Sequence, residues 1–116
     1  MNQTCIFCRI ISKELPSKII AETDSILVIQ DRTPRAPVHF LIIPKKHIAC
    51  YVDLQPEDMS LNWQMTVMVQ ELATRLPEPG AFNLIVNNGV QAGQSVFHLH
   101  YHFLAQRDIY AGGISL

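Results

Sequence analysis

Phe97-His98-Leu99-His100-Tyr101-His102-Phe103 places a histidine at every second position between aromatic and aliphatic residues. A period of two is that of a strand, on which successive side chains point to opposite faces. Phe97 to Leu104 therefore reads as a strand with three imidazoles on one face. Phe97, Leu99, Tyr101 and Phe103 take the other face, against a helix. Same-face positions lie roughly 6.6 Å apart, so the rings form a row about 13 Å long. Such a row does not converge on one metal ion from an untwisted strand, although an adjacent pair can. Just upstream, Asn87-Asn88-Gly89-Val90-Gln91-Ala92-Gly93-Gln94-Ser95 is a loop. Its glycines let backbone N–H groups approach an anion, and the Ser95 hydroxyl is a further donor. A donor-rich loop beside neutral imidazoles points to phosphate chemistry near neutral pH, with histidine as nucleophile or proton shuttle.

Outward from this segment, residues 1–116 read as a single domain. Phe7 to Leu15 has the spacing of a short helix, with Phe7, Ile10 and Ile11 on one side, and Pro16-Ser17 ends it. Lys18 to Glu22 and Ile26 to Gln30 form a hairpin pattern about Thr23-Asp24-Ser25. Val38 to Pro44 is a third strand, apolar enough for burial on both faces. A long helix is expected over Gln55 to Leu76, with Pro56 at its first position. Leu61, Met65, Met68, Val69, Leu72 and Leu76 follow at helical spacing. Phe82 to Asn87 is a further strand. The order helix, strands, long helix, strands favours an α+β fold with an antiparallel sheet.

Composition narrows the function classes. A chain of 116 residues that is 48% hydrophobic and 16% charged is no disordered segment. Nine basic against ten acidic residues leave a net charge of −1, which argues against nucleic-acid and membrane-surface binding. The longest apolar stretches are strand-sized, and Met1-Asn2-Gln3-Thr4 opens no signal-peptide pattern. With three cysteines and no secretion signal, a reducing cytoplasm is the expected location. A domain this short buries only about two-thirds of its unfolded surface, so a partner chain would help it.

His98-Leu99-His100-Tyr101-His102-Phe103-Leu104 resembles the His-x-His-x-His-x-x motif of the histidine triad nucleotide-binding proteins. The likeness extends to Ile6-Phe7 with Ile10-Ile11, Leu15-Pro16, Asp31 with Pro34 and Ala36-Pro37, and His39 through His47. With Asn87 and Gly93-Gln94-Ser95, these segments are similar to the Hint branch, in the family's order, from about residue 5 to 104. The resemblance implies a five-stranded antiparallel sheet with one long and one short helix, joined to a ten-stranded sheet in a two-fold homodimer. Trp63, Met65 and Met68 on the long helix are expected to pack against the symmetry mate. It also implies a purine nucleoside phosphoramidase that hydrolyses the P–N bond of an adenylated or guanylated amine. His100 would be the nucleophile, forming a nucleotidyl-histidine intermediate that water cleaves. His102 would contact the phosphate, His98 would orient His100 through its backbone, and His39 would join the proton network. Gly93, Gln94 and Ser95 would stabilise the phosphoryl oxygens, with Asn87 beside them. Asp31 would accept from the ribose hydroxyls, and Ile6, Phe7, Ile10, Leu15 and Leu41 would line the base pocket. No metal is required for this catalysis.

Cys5-Ile6-Phe7-Cys8 taken alone fits redox, metal-binding and incidental readings equally. Some bacterial triad proteins carry this pair and bind a structural zinc through two further histidines, at the positions of His47 and His98. A two-Cys, two-His shell is closed and therefore structural rather than catalytic. The alternative is a pair of reduced thiols in a metal-free protein. Cys50 reads as a packing residue. Other function classes remain in view: a dinucleoside polyphosphate hydrolase, against which His102 counts, a nucleotide-binding module with residual catalysis, and a His-x-His metalloenzyme using His39. Asn88 and Ala92 stand where relatives often have an acid and a glycine. Arg32 beside Asp31 departs from the usual aliphatic residue and bears on the base contacts, and the tail Asp108 to Leu116 departs from the eukaryotic pattern, which leaves the preferred amine open.

Overall fold

A computed structural model describes residues 4–114; Met1-Asn2-Gln3 and the last two residues of the tail lie outside the described residues. Helix α1 (Ile6–Ile11) precedes a hairpin of β1 (Ile19–Glu22) and β2 (Ile26–Gln30), which leads into β3 (Val38–Pro44). Helix α2 (Met59–Thr74) is followed by β4 (Phe82–Ile85) and β5 (Tyr101–Ala105). The strands form one five-stranded sheet in the order β1-β2-β3-β5-β4, antiparallel throughout. The α+β expectation, with one long and one short helix, holds.

Alternation along the central strands divides the core. Ile26, Val28, Ile42, Tyr101 and Phe103 face α2 and pack with Met65, Met68, Val69 and Leu72. Leu27, Ile29, Leu41 and Ile43 face the other way and pack with Phe7, Cys8, Ile10 and Ile11 of α1. As expected, β3 is buried on both faces, since a helix lies over each. A 3-10 turn at Pro56–Asp58 leads into α2. There the Asp58 carboxylate accepts from the Gln55 N–H at 2.9 Å and pairs with Lys46 at 2.6 Å, holding the helix entry to the end of β3.

Two expectations are corrected. Met65 and Met68 are 1% and 4% exposed and belong to the protomer's own core. The outward stripe of α2 is Met59, Trp63 and Val67, spaced four residues apart. The histidine segment is also shorter as a strand than its alternation suggests. β3 and β5 pair from Val38↔Ala105 to Ile42↔Tyr101 and no further. Beyond Ile42 the ladder stops because Pro44 has no N–H to offer, and its carbonyl accepts from the His98 ring at 2.7 Å. Residues 97–100 therefore run off the sheet, with the Leu99 N–H bonded to the Ile48 carbonyl. Leu99, Tyr101 and Phe103 still face the α2 core, whereas Phe97 is exposed.

Candidate active site

Leaving the strand at residue 100 sends the three histidines to different surroundings. His102 remains on the α1 face of β5, opposite Leu41 and diagonal to His39. The His102 and His100 rings lie 5.1 Å apart. His98 turns away under α1, wholly buried, with its ring 4.8 Å from that of His47.

Backbone partners assign a tautomer to each ring. The His100 Nδ1 lies 2.7 Å from the His98 carbonyl. A carbonyl only accepts, so His100 carries its proton on Nδ1 and a free lone pair on Nε2. His98 is the reverse: its Nε2–H donates to the Pro44 carbonyl, leaving the Nδ1 lone pair free. The Arg35 N–H donates to His39 Nδ1 at 3.0 Å, so His39 bears its proton on Nε2. That proton faces His102 Nδ1 at 2.9 Å and the Asp31 carboxylate at 3.3 Å. His102 is then an acceptor at Nδ1 and carries its own proton on Nε2. Burial holds all four rings neutral. Desolvation pushes His98 and His102 down to about 4 and lowers His100 and His39. For His39 and His100, the Asp31 charge opposes the shift without overcoming it.

A cavity of about 330 Å³ opens beside these rings. It is lined by His100 and His102, by Ile6, Phe7 and Ile10 of α1, and by Leu41, Asp31, Asn87, Gly93 and Ser95. Phe7 meets His100 edge-on at 5.0 Å. Asp31 also accepts from the Thr33 N–H at 2.8 Å, which fixes its carboxylate at the rim. Ser95 is exposed, and its N–H and hydroxyl have no hydrogen-bond partner among the described residues. Gly89 and Gly93 take the positive φ values of +91° and +92°, flanking a 3-10 turn at Val90–Ala92. Ala92 therefore occupies a position that needs no glycine. Asn88 accepts from the Tyr51 N–H at 2.7 Å and ties the loop to the chain before α2.

Several residues singled out from the sequence stand elsewhere. Leu15 does not line the cavity; it packs against the α1 core. Gln94 is 4% exposed and faces inward. Its amide donates to the Ala49 and Val96 carbonyls, and its carbonyl accepts from the Gly89 N–H and the Cys50 thiol. Its own N–H and that of Gly93 close the turn onto Gly89 and Val90. Gln94 thus braces the loop from inside, and Cys50, read as a packing residue, is part of that brace. Arg35 was missed. It lines this cavity and a neighbouring one, and only its position between two prolines marks it in the sequence.

Cys5, Cys8, His47 and His98 bring one ligand atom each within 4.8 Å of one another. The Cys5 Sγ–His98 Nδ1 and Cys8 Sγ–His47 Nδ1 distances are both 3.3 Å, Cys8 Sγ–His98 Nδ1 is 3.6 Å, and the two Nδ1 atoms lie 3.1 Å apart. A tetrahedral site with metal–sulfur bonds of about 2.3 Å and metal–nitrogen bonds of about 2.0 Å has edges of roughly 3.3–3.8 Å. The cluster has the size of such a shell, and His98 Nδ1 already has its lone pair free. Asp31, His39 and His102 are also close together. There, however, the His39 Nε2 that faces the other two carries the proton, so this group is a hydrogen-bond relay rather than a ligand set.

Comparisons with known proteins identify the family and the fold. The family model described as the HIT domain matches residues 12–109. The chain belongs to the HIT domain family. It is 41% identical over 107 residues to a HIT-like protein of Synechocystis, covering 92% of this chain and 94% of that protein. A HIT family hydrolase from Clostridium thermocellum superposes with a TM-score of 0.88 at 41% identity, covering 94% of this chain and 96% of that one. A zinc-bound histidine triad family protein from Mycobacterium smegmatis gives a TM-score of 0.77 at 33% identity, covering 93% and 78%. Cys5 and Cys8 precede the matched stretch of the HIT domain.

The neutral relay carries a pH signature. His102 titrates near 4 in the fold and near 6.5 as a free side chain. Between those values the unfolded chain binds a proton that the native chain refuses, so acidification through this window removes stability. The urea midpoint is expected to fall from pH 7 to pH 5, and to fall less in His102→Gln. Equal falls in the two proteins would contradict the assignment.

Proposed function

We propose that this HIT domain is a nucleoside 5′-phosphoramidate hydrolase acting on adenosine or guanosine 5′-monophosphoramidates. The observation that carries the reading is the 2.7 Å bond from His100 Nδ1–H to the His98 carbonyl, which fixes the lone pair of a neutral imidazole on Nε2 beside a nucleotide-sized cavity. Resemblance to proteins described as HIT family hydrolases supports it.

The purine sits among Ile6, Phe7, Ile10 and Leu41, and Asp31 accepts from the ribose hydroxyls. The α-phosphate lies between the histidines and Ser95, whose free donors hold its oxygens as charge develops. His100 Nε2 attacks phosphorus, the P–N bond breaks, and its electron pair leaves with the amine. His102 Nε2–H, backed by His39, donates a hydrogen bond to a phosphoryl oxygen, and the departing nitrogen takes up a proton from solvent. Water then attacks the nucleotidyl-histidine, returns a proton to solvent, and releases the nucleoside monophosphate with His100 again neutral. Gln94 acts by holding the loop. Neutrality below the ordinary histidine range keeps the nucleophile available under mildly acidic conditions.

Cys5, Cys8, His47 and His98 would hold a structural zinc ion, as the shell size and the zinc-bound relative suggest. With four protein ligands such an ion would have no open position, so it would clip α1 to the sheet and take no part in the chemistry. A homodimer is the proposed assembly. Phe82 and Leu84 on edge strand β4 are 39% and 42% exposed on the α2 face, and Trp63 is 62% exposed on α2 itself. These residues, rather than Met65 and Met68, are the apolar surface for a second copy.

Three measurements test these points. Brief incubation with adenosine phosphoramidate followed by acid-free intact mass analysis should reveal one added nucleotidyl group, absent in His100→Ala. Loss of His100 should lower kcat by about a thousandfold or more. Turnover that persists in His100→Ala would remove the nucleophile, and a wild type that binds adenosine monophosphate without turnover is a nucleotide-binding module. Metal analysis should find one zinc per chain, lost in Cys8→Ser with a lower melting temperature. Zinc-free wild type with an unchanged melt would leave the thiols simply reduced. Sedimentation should give a dimer that Leu84→Glu with Trp63→Glu converts to monomer.

A further inference from the structure

Two cavities meet at the histidines. The first, already described, contains His100. The second is about 440 Å³, and the residues common to both are Arg35, Asn87 and His102. If the reacting phosphate lies at that junction, His100 approaches phosphorus from the first cavity. Displacement in line then sends the leaving group out the opposite side, into the second. This step rests on the hydrolase reading above.

The second cavity has a distinct chemistry. Ile85, Leu104 and Ile109 give it an apolar wall. Its ionic groups are Arg35, Arg107 and Asp108 beside the neutral His39 and His102. Asp108 is partly occupied, accepting from the Tyr110 N–H at 2.9 Å. Arg107 donates to the Arg35 carbonyl at 3.0 Å. The Arg35 main chain is thus held at both ends, by Arg107 on its carbonyl and by His39 on its N–H. Its guanidinium has no ion pair or hydrogen bond among the described residues. The group lies close enough that its charge helps to lower both His39 and His102. Arg35 is exposed, and an unpaired guanidinium carried on an anchored main chain at the junction of two cavities is a receptor for an anion, with a fork that suits a carboxylate.

We propose that the second cavity receives the leaving amine and that Arg35 selects amines bearing an anionic group, namely the carboxylate of an N-linked amino acid. Forming the P–N bond removes the amino acid's α-ammonium charge, so its α-carboxylate is the one ionic group common to every N-linked amino acid. The side chain rests on the Ile85, Leu104 and Ile109 wall. Arg35 determines specificity and takes no part in bond breaking.

The test compares adenosine 5′-phosphoramidates of alanine, alaninamide and 2-aminoethyl phosphate. Wild type should favour alanine over alaninamide by roughly tenfold in kcat/KM, the scale of one charge-assisted hydrogen bond at an open site. In Arg35→Gln the ratio should fall to near one, while Arg32→Gln, which changes the first cavity alone, should retain it. An unchanged ratio in Arg35→Gln overturns the proposal, including the case in which both substrates slow equally because Arg35 holds the reacting phosphate. Preference for the aminoethyl phosphate adduct, lost in Arg35→Gln, overturns the carboxylate assignment in favour of a phosphate. If wild type hydrolyses none of the three, the hydrolase reading fails, and the same ratios are read as affinities by calorimetry. Equal affinities for alanine and alaninamide adducts then overturn the subsite as well.

Discussion

His98 is the residue on which the site depends. Its ring has no solvent exposure, yet both ring nitrogens and the main-chain carbonyl are engaged. Nε2–H is bonded to the end of β3, Nδ1 faces the cysteines of α1, and its carbonyl receives the His100 proton. Leaving a buried imidazole nitrogen unpartnered costs about 1–3 kcal/mol, so the three neighbouring elements are compelled to stay in register around it. Helix α1 has only six residues, far below the length at which an isolated helix persists in water. Its position comes from packing and from the Cys5, Cys8 and His98 contacts. Because α1 also carries Ile6, Phe7 and Ile10 into the cavity, the same cluster shapes that cavity's wall.

A second consequence is that four histidines within a small volume remain chemically distinct. Each ring has one nitrogen bonded to a main-chain group or to a neighbour so fixed. Two carbonyls and one N–H therefore decide where every proton sits. Those main-chain groups lie outside the β3–β5 ladder, at residues 44, 35 and 98. Were the three triad residues all paired in a regular strand, the His98 carbonyl would be engaged in a ladder, and His100 would lose the acceptor that sets its tautomer. The departure from strand geometry is a condition of the arrangement.

That departure also explains what was legible in the sequence. Period two in residues 101–103 and the unbroken apolar runs at 26–29 and 40–43 both follow from burial against two helices, and these elements stand where the sequence places them. The same alternation at 97–100 has another cause: Leu99 enters the α2 core from outside the sheet, and His98 is drawn under α1. Periodicity records which side a residue faces, not whether its backbone is paired. The inward turn of Gln94 was likewise hidden, because an amide in a glycine-bearing loop looks like a ligand donor until its four partners are known. Met65 and Met68 lie on the buried stripe of α2, while Trp63 lies on the outer one. Helical spacing already groups Met65 and Met68 with Val69 and Leu72 and leaves Trp63 off that stripe, so the phase was in the sequence and apolar content alone misassigned the methionines.

Net charge of −1 describes this surface poorly at the scale that matters for a ligand. Among the described residues the acids near the two cavities are already engaged: Asp31 with Thr33 and His39, Asp108 with Tyr110. Arg35 has no such partner, and its field helps hold His39 and His102 neutral. A cation that disfavours protonation of the relay and attracts an anion serves both ends of one electrostatic balance. With the relay uncharged, the local positive potential comes from a permanently charged guanidinium rather than from rings whose charge follows pH. Interactions between exposed charges fade beyond about 8 Å at physiological salt, so this balance acts on what lies at the junction and is insensitive to the acids elsewhere on the molecule.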